Sequence, residues 1–338
     1  MLGTTTSEES TSWYLSDDLN PNPGDETSPY GLAFDWFGNL WSAGSLYDAS
    51  AGSFYWYVRM SSNPTTSDSW KAMDEFPYDG GSASANSVAG DASGNVYVVG
   101  WRGAPWPPGG TYWLVRKATF SSVDQTWSWA TADQFKSGEA YGIAFVPRNL
   151  NVANLGSGAL FAVGRTTGSS GSWITRRSVD GGANWETVDT PSSGALANKV
   201  SGDAFGNVYV VGLGKIKVHG TQVWEWLVRE SSDGGATWQT VDTYVDGSAA
   251  APEGVGMDAN GSPVVVGYGT GSDGYDHWIV RRPINGTWTT VDDWGGKDAL
   301  GGSALAWGVT SDKAGNLLVT GRAQDLLGAW HWVVRSTP

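Results

Sequence analysis

The chain has 338 residues, 40% of them hydrophobic, and no cysteine: there is apolar material for a real core, while disulfides, thiolate metal sites and cysteine nucleophiles are excluded. Its 20 Lys and Arg against 34 Asp and Glu give a formal charge of −14, which repels phosphate backbones and anionic lipid and argues against a nucleic-acid partner. No run approaches the roughly 18 apolar residues needed to span a bilayer, so no membrane insertion is expected, and the opening MLGTTTSEES lacks the basic and apolar regions of a signal peptide.

In chain order, residues 1–10 are expected to be a frayed tail. Residues 11–18 hold an isolated Trp13 and Asp17. Beyond them a unit of roughly 55 residues recurs six times, with expected boundaries near 28–75, 84–134, 139–190, 196–243, 251–293 and 305–338. Each unit reads as four short β-type runs, A to D, separated by turn residues. Run A ends at an Asp before a Gly-containing turn, and run B is an apolar stretch ending in Gly, as in AGDASGNVYVVG (89–100) and SGDAFGNVYVVG (201–212). The third copy, at 144–164, is stretched and lacks the Asp. Run C is a Trp followed three residues later by Arg: YWYVR (55–59), YWLVR (112–116), SWITR (172–176), EWLVR (225–229), HWIVR (277–281) and HWVVR (331–335). Run D is a Trp followed by an Asp, from Trp70 and Asp74 in the first unit to Trp288 and Asp292 in the fifth.

The sixth unit lacks run D, and the lone Trp13 and Asp17 supply what is missing from the other end of the chain. The sequence therefore predicts an all-β, six-bladed β-propeller of four-stranded antiparallel blades in one domain, with residues 11–18 as the closing strand of blade 6, because ring closure removes exposed strand edges. A monomer is expected.

Two of the C-to-D turns, Ser178-Val-Asp180-Gly-Gly182-Ala-Asn-Trp185 and Ser231-Ser-Asp233-Gly-Gly235-Ala-Thr-Trp238, match a Ser-x-Asp-x-Gly-x-x-Trp pattern. They resemble the Asp boxes, or BNR repeats, of the sialidase-like β-propellers. The resemblance covers the chain at the level of its repeats and implies a ligand or active site on the face away from these turns. It also implies a secreted, cell-surface or periplasmic location. It names no substrate.

Residues present in every unit are read as structural. Arg59, Arg116, Arg176, Arg229, Arg281 and Arg335 need carboxylate partners if partly buried, either from the Asp35, Asp91, Asp203, Asp258 and Asp312 column or from the run D column. The twelve repeat tryptophans (Trp13, Trp56, Trp70, Trp113, Trp127, Trp173, Trp185, Trp226, Trp238, Trp278, Trp288 and Trp332) are expected to pack blade against blade. His219, His277 and His331 have no metal-ligand spacing, and no metal or cofactor is expected.

Function is sought where position is shared and residue is not. The opening of run A carries Tyr30, Asn86, Tyr141, Asn198, Glu253 and Trp307, and the position after the Gly of run B carries Ser45, Trp101, Arg165, Leu213, Tyr268 and Arg322. These columns would form nested rings around an axial funnel, walled by Arg102 and Trp106 in the WRGAPWPPGG loop. A set rich in Trp, Tyr, Arg, Asn and a single Glu suits a glycan or small polar ligand. If the sialidase resemblance extended to activity, Tyr141 with a nearby Glu would be the nucleophile, and Glu253 and Glu139 the candidate acids. No Arg-Ile-Pro motif accompanies them. The third reading is an interaction scaffold using a rim patch of Trp101, Trp106, Trp224, Trp294 and Trp330.

Overall fold

The structure, a computed structural model, describes residues 16, 18, 19, 24–66, 69–76, 81–103, 110–149, 151, 155, 157–168, 171–191 and 194–337. Blade 1 is β1 (Glu26–Phe34), β2 (Leu40–Asp48), β3 (Ser53–Ser61) and β4 (Trp70–Phe76); blade 2 is β5 (Ala83–Gly90), β6 (Val96–Gly103), β7 (Thr111–Ser121) and β8 (Thr126–Lys136). Blade 3 comprises β9 (Gly138–Pro147), β10 (Gly158–Thr166), β11 (Ser172–Ser178) and β12 (Glu186–Asp189); blade 4 comprises β13 (Gly194–Gly202), β14 (Val208–Val218), β15 (Thr221–Ser231) and β16 (Gln239–Tyr244). Blade 5 is β17 (Ala250–Met257), β18 (Pro263–Thr270), β19 (Asp276–Ile284) and β20 (Thr287–Trp294), and the last sheet is β21 (Gly301–Ser311), β22 (Leu317–Asp325) and β23 (Trp330–Ser336). The first five sheets are four-stranded antiparallel meanders in chain order; the sixth has three strands. No helix among the described residues is long and apolar enough to cross a membrane.

The strand patterns follow from how each sheet is covered. A second strand such as β6 or β14 is buried on both faces between its neighbouring blades, so VYVVG (96–100 and 208–212) is apolar at every position. An outer strand has water on one side, and β20 alternates partly buried and exposed residues along its whole length. The turns between first and second strands are closed by the Asp column. Asp35, Asp91, Asp203, Asp258 and Asp312 each accept the backbone N–H groups two and four residues on. The turn glycines, such as Gly94 at φ 83° and Gly206 at φ 91°, hold a left-handed conformation that costs a side-chain-bearing residue more.

Blades meet through one repeated contact. Trp56, Trp113, Trp173, Trp226 and Trp278 are fully buried. Each indole covers the glycine that ends the apolar run of the next blade's second strand: Gly100, Gly164, Gly212, Gly267 and Gly321. A β-carbon added at Gly267 would stand 2.9 Å from the Trp226 ring and 2.0 Å from the Ala251 carbonyl oxygen. An ion pair runs the other way across each seam. Arg116, Arg176, Arg229, Arg281 and Arg335 each grip, with two nitrogens, the carboxylate of the preceding blade's outer strand: Asp74, Asp133, Asp189, Asp242 and Asp292. The run D column is thus the partner of the repeat arginines, and the Asp35-type column serves its turns, with Asp258 also pairing with the neighbouring Arg282 at 2.6 Å.

The seam between the last sheet and the first is open. Trp332, expected in the core, is 86% exposed, and Leu32 on β1 is 66% exposed although its counterparts Val88 and Ile143 are each 6% exposed. Among the described residues no strand pairs with the outer side of β23. The expected closing strand, with Trp13, lies outside the described residues apart from Ser16 and Asp18. Of the remaining repeat tryptophans, Trp70, Trp127, Trp185, Trp238 and Trp288 are half-buried.

The ion pairs differ in burial, and so in what they are worth. Asp242→Ala leaves the Arg281 guanidinium, whose side chain is 10% exposed, without its counter-charge, and is expected to cost about 3–5 kcal/mol in urea unfolding. Asp292→Ala opens the pair to Arg335, whose side chains are 34% and 30% exposed, and is expected to cost about 1 kcal/mol or less.

Candidate functional site

The first strand of every blade breaks register at one equivalent place, and β13 and β21 each carry a further break nearer their start. Hydrogen-bonded pairing skips Tyr30, Asn86, Tyr141, Asn198, Glu253 and Trp307. Each is the extra residue of a β-bulge, a device that re-aims a side chain out of the pleat. The column read from the sequence is therefore defined by backbone geometry: six bulges at equivalent points re-aim side chains of four kinds, Tyr, Asn, Glu and Trp.

Five of these residues converge. Tyr30, Asn86, Tyr141, Asn198 and Glu253, with Lys199, line an axial cavity of about 220 Å³. Trp307 is not among the lining residues; it sits on the last sheet and is 46% exposed. Two members are committed to the neighbouring blade. The Asn86 side-chain amide donates to the Ala140 carbonyl at 2.7 Å, and that of Asn198 donates to the Pro252 carbonyl at 2.9 Å. These asparagines tie blade 2 to blade 3 and blade 4 to blade 5 while forming part of the wall.

The charged groups of the cavity are Glu253 and Lys199. Burial raises the Glu253 carboxyl above its ordinary range, an effect partly offset by the Lys199 charge. Burial likewise pulls the Lys199 ammonium down, with Glu253 opposing. Sequence reading missed Lys199. The signal was present one residue after the bulge, where the column reads Gly31, Ser87, Gly142, Lys199, Gly254 and Gly308. That position is small because it faces the next blade: a β-carbon on Gly142 would lie 3.1 Å from the Asn198 carbonyl oxygen. One lysine among four glycines and a serine is the anomaly.

The two predicted rings meet in blade 1, in blade 3 and in the last sheet. Ser45 donates to the Tyr30 hydroxyl at 3.3 Å, and Arg165 lies 5.9 Å from the Tyr141 ring centre. Tyr141 also donates to Glu139 in a very short hydrogen bond, and Arg165 donates to the same carboxylate oxygen at 2.9 Å. Burial, followed by the contact with Glu139, raises the Tyr141 phenol well above its ordinary value. Burial and then the Glu253 charge raise Tyr268. Arg322 lies 5.0 Å from Trp307 and 4.0 Å from Trp330, measured to ring centres.

Other expected wall residues lie elsewhere. Arg165 also edges a groove with Lys215 and Trp224. Arg102 stacks 4.3 Å over Tyr112, while half-buried Trp101 stands in register with Trp113. Trp106 is outside the described residues. The rim patch does not gather: Trp294 packs into the core between blade 5 and the last sheet, and Trp330 sits on Arg322.

No protein-family model matches the sequence, and neither does any curated protein. Among solved structures the chain is similar to the α-L-arabinofuranosidase of Fusarium graminearum in complex with an iminosugar inhibitor (TM-score 0.50, 10% identity, 91% of this chain and 92% of that one). It is similar to the same degree to the Penicillium chrysogenum α-L-arabinanase complexed with arabinobiose (TM-score 0.50, 13% identity, 92% and 93%). A mutant Trypanosoma rangeli sialidase displaying trans-sialidase activity matches at TM-score 0.49 and 11% identity over 91% of this chain, which spans about half (53%) of that protein. At such identities the likeness is one of fold: the chain has the β-propeller fold of this arabinofuranosidase and this arabinanase.

Because burial raises the Glu253 carboxyl, ionising it in the folded protein costs stability as pH rises through the carboxylate range. Lys199→Met removes the charge that offsets this cost. The variant is expected to lose stability more steeply than the parent between about pH 4 and about pH 7, read from thermal melts across that range.

Proposed function

We propose that the axial cavity is a binding site for a glycan or another small polar molecule, on the face opposite the Asp-box turns at Ser178–Trp185 and Ser231–Trp238. The observation that carries this reading is the conjunction of bulge and asymmetry. A fold that needs six equal wedges has no structural use for Tyr, Asn, Tyr, Asn and Glu at one equivalent point, nor for a lysine in a glycine column. A ligand bearing hydroxyls does. Tyr30 and Tyr141 supply ring faces and hydroxyls, and Glu253 and Lys199 supply an acceptor and a donor of opposite charge. Two of the similar propellers are described as complexes with arabinobiose and with an iminosugar inhibitor, which supports a sugar as the first ligand to try.

A glycoside hydrolase is the second reading, and two observations favour it. Burial raises the Glu253 carboxyl above its ordinary range, the direction a general acid requires. Glu139 accepts the Tyr141 hydroxyl proton in a short hydrogen bond, so a phenol too weakly acidic to ionise by itself has a base in contact. Arg165, bonded to Glu139, steadies that carboxylate's charge. Binding and hydrolysis both place the ligand over Glu253 and Tyr141. A secreted or cell-surface setting belongs with either reading.

Glu253→Gln and Tyr141→Phe are each expected to weaken binding to immobilised arabino-oligosaccharides or sialyllactose at least tenfold, about 1.4 kcal/mol, while shifting the melting temperature little. Release of 4-nitrophenol from its α-L-arabinofuranoside, or of methylumbelliferone from its sialoside, by the parent and not by Glu253→Gln would select the hydrolase. Neither binding nor release would leave the interaction scaffold.

A further inference from the structure

We infer that the cavity between blades 4 and 5, at the C-to-D turn end of the strands, is a binding site for a primary alkylammonium group, which takes the place that the Lys117 ammonium holds in blade 2. The site is separate from the axial cavity and independent of what binds there.

One cross-strand pair recurs beside the seams. The residue after the repeat arginine stands opposite an aromatic residue of the second strand: Lys117 opposite Tyr97 in blade 2, Arg177 opposite Phe161 in blade 3, and Glu230 opposite Tyr209 in blade 4. In blades 2 and 3 the cation reaches across the seam. The Lys117 ammonium lies 5.5 Å from the Tyr97 ring centre and donates to the Gly181 carbonyl at 2.8 Å, and Arg177 donates to the Gly234 carbonyl at 2.6 Å. Both carbonyls belong to the Asp-box turn of the following blade, whose next glycine closes on the aromatic ring. A β-carbon at Gly182 would stand 2.9 Å from Tyr97, and one at Gly235 would stand 2.6 Å from Phe161.

Blade 4 keeps the tyrosine and loses both parts that cover it. Glu230 stands where the cation was. The following turn, in blade 5, is the two-residue hairpin Asn285-Gly286, with both residues at positive φ (51° and 79°). In blades 3 and 4 the same strands are joined by the longer segments 179–185 and 232–238. A β-carbon at Gly286 would meet no atom within 4 Å. The space left open is a cavity of about 260 Å³ whose walls include Tyr209, Glu230, Pro263, Pro283, Gly286 and Trp288.

The chemistry of these walls calls for an organic cation. Glu230 accepts hydrogen bonds from the Tyr209 hydroxyl at 2.9 Å and from the Gln239 amide at 3.1 Å, both neutral donors, and has no Lys or Arg partner among the described residues. Burial, followed by the charges of Glu230 and Asp203, raises the Tyr209 phenol well above its ordinary value, so the hydroxyl stays protonated. Pro263 and Pro283 bring no backbone N–H to compete for the carboxylate. An ammonium placed beside Glu230 gains its counter-charge, and the Tyr209 and Trp288 rings stabilise it further through their quadrupoles. The remaining apolar wall suits the methylene stem behind the charge. A divalent metal ion is not the fitting cation, because among the described residues no three acidic or imidazole side chains gather to ligate one. The chain's formal charge of −14 draws cations to its surface in any case.

Titration with n-butylammonium tests the site, followed through the Trp288 indole N–H in proton–nitrogen correlation spectra and assigned as the resonance lost in Trp288→Phe. Butylammonium is expected to move that resonance saturably, and uncharged butanol is not. Glu230→Gln is expected to weaken the binding at least tenfold with little change in melting temperature. Glu230→Lys rebuilds the blade 2 pair in blade 4 and is expected to abolish binding with the melting temperature kept. Glu253→Gln, which neutralises the acid of the axial cavity, is expected to leave the affinity unchanged. Titration with N-acetyl-lysine amide separates two sources of the same group: butylammonium binding alone assigns the pocket to free amines, and binding of the amide as well assigns it to lysine side chains of peptides. No saturable shift with either amine, an equal response to butanol, unchanged affinity in both Glu230 variants, or loss of binding in Glu253→Gln would overturn the inference.

Discussion

Where the first strand bulges, the carbonyl two residues before the bulge is pushed against the α-carbon of the glycine opposite. A β-carbon at Gly100, Gly164, Gly212, Gly267 or Gly321 would meet such an oxygen at 1.9 to 2.1 Å. The same bare glycine admits the indole of the preceding blade, within 3 Å of where its β-carbon would stand. Bulge, glycine and tryptophan are thus one unit. The backbone distortion that turns a site residue toward the axis is the one that demands the glycine, and the glycine makes room for the ring that joins two blades. Few packing arrangements couple a functional side chain so directly to core stability.

Charge is arranged on the same plan. Each arginine spans a seam with a two-nitrogen grip on an aspartate, and that aspartate follows a second bulge, in the outer strand, which turns it inward. Such pairs contribute little net stability but punish misalignment, since a blade docked out of register would bury an arginine alone. Burial falls toward the chain's end, from the Arg281–Asp242 pair to the more open Arg335–Asp292 pair, in step with the opening of the last seam. The axis obeys different rules. Lys199 and Glu253 share a small cavity, and each is pulled toward its neutral form by burial and held toward its charged form by the other.

Much of this was legible in the chain because repetition does the work of an alignment. Six copies of one unit separate residues the wedge needs from residues it does not, and the run A column picked out the bulge positions before any bulge was visible. The run D column as arginine partner was one of two options that spacing alone could not separate. Asp35 and its equivalents drop out because their turns take up their carboxylates, both oxygens in Asp35 and one in Asp258, whose other oxygen pairs with Arg282 outside the repeat arginines. Lys199 was missed because attention rested on the bulge residue and not on the one after it. Trp332 was read as core from its repeat position, yet its burial depends on a partner surface at the opposite end of the chain.

By itself the sequence determined the strand content, the six-unit repeat, the seam residues and the short list of side chains that differ at equivalent points. These are local or periodic properties, set by turn chemistry and by the alternation of apolar residues within about 55 positions. Tertiary structure alone decided which of these side chains share one cavity, that two asparagines are spent on neighbouring blades, and that the last seam stands apart from the other five. Those outcomes depend on distances between blades, and the first and last sheets are the pair farthest apart in sequence.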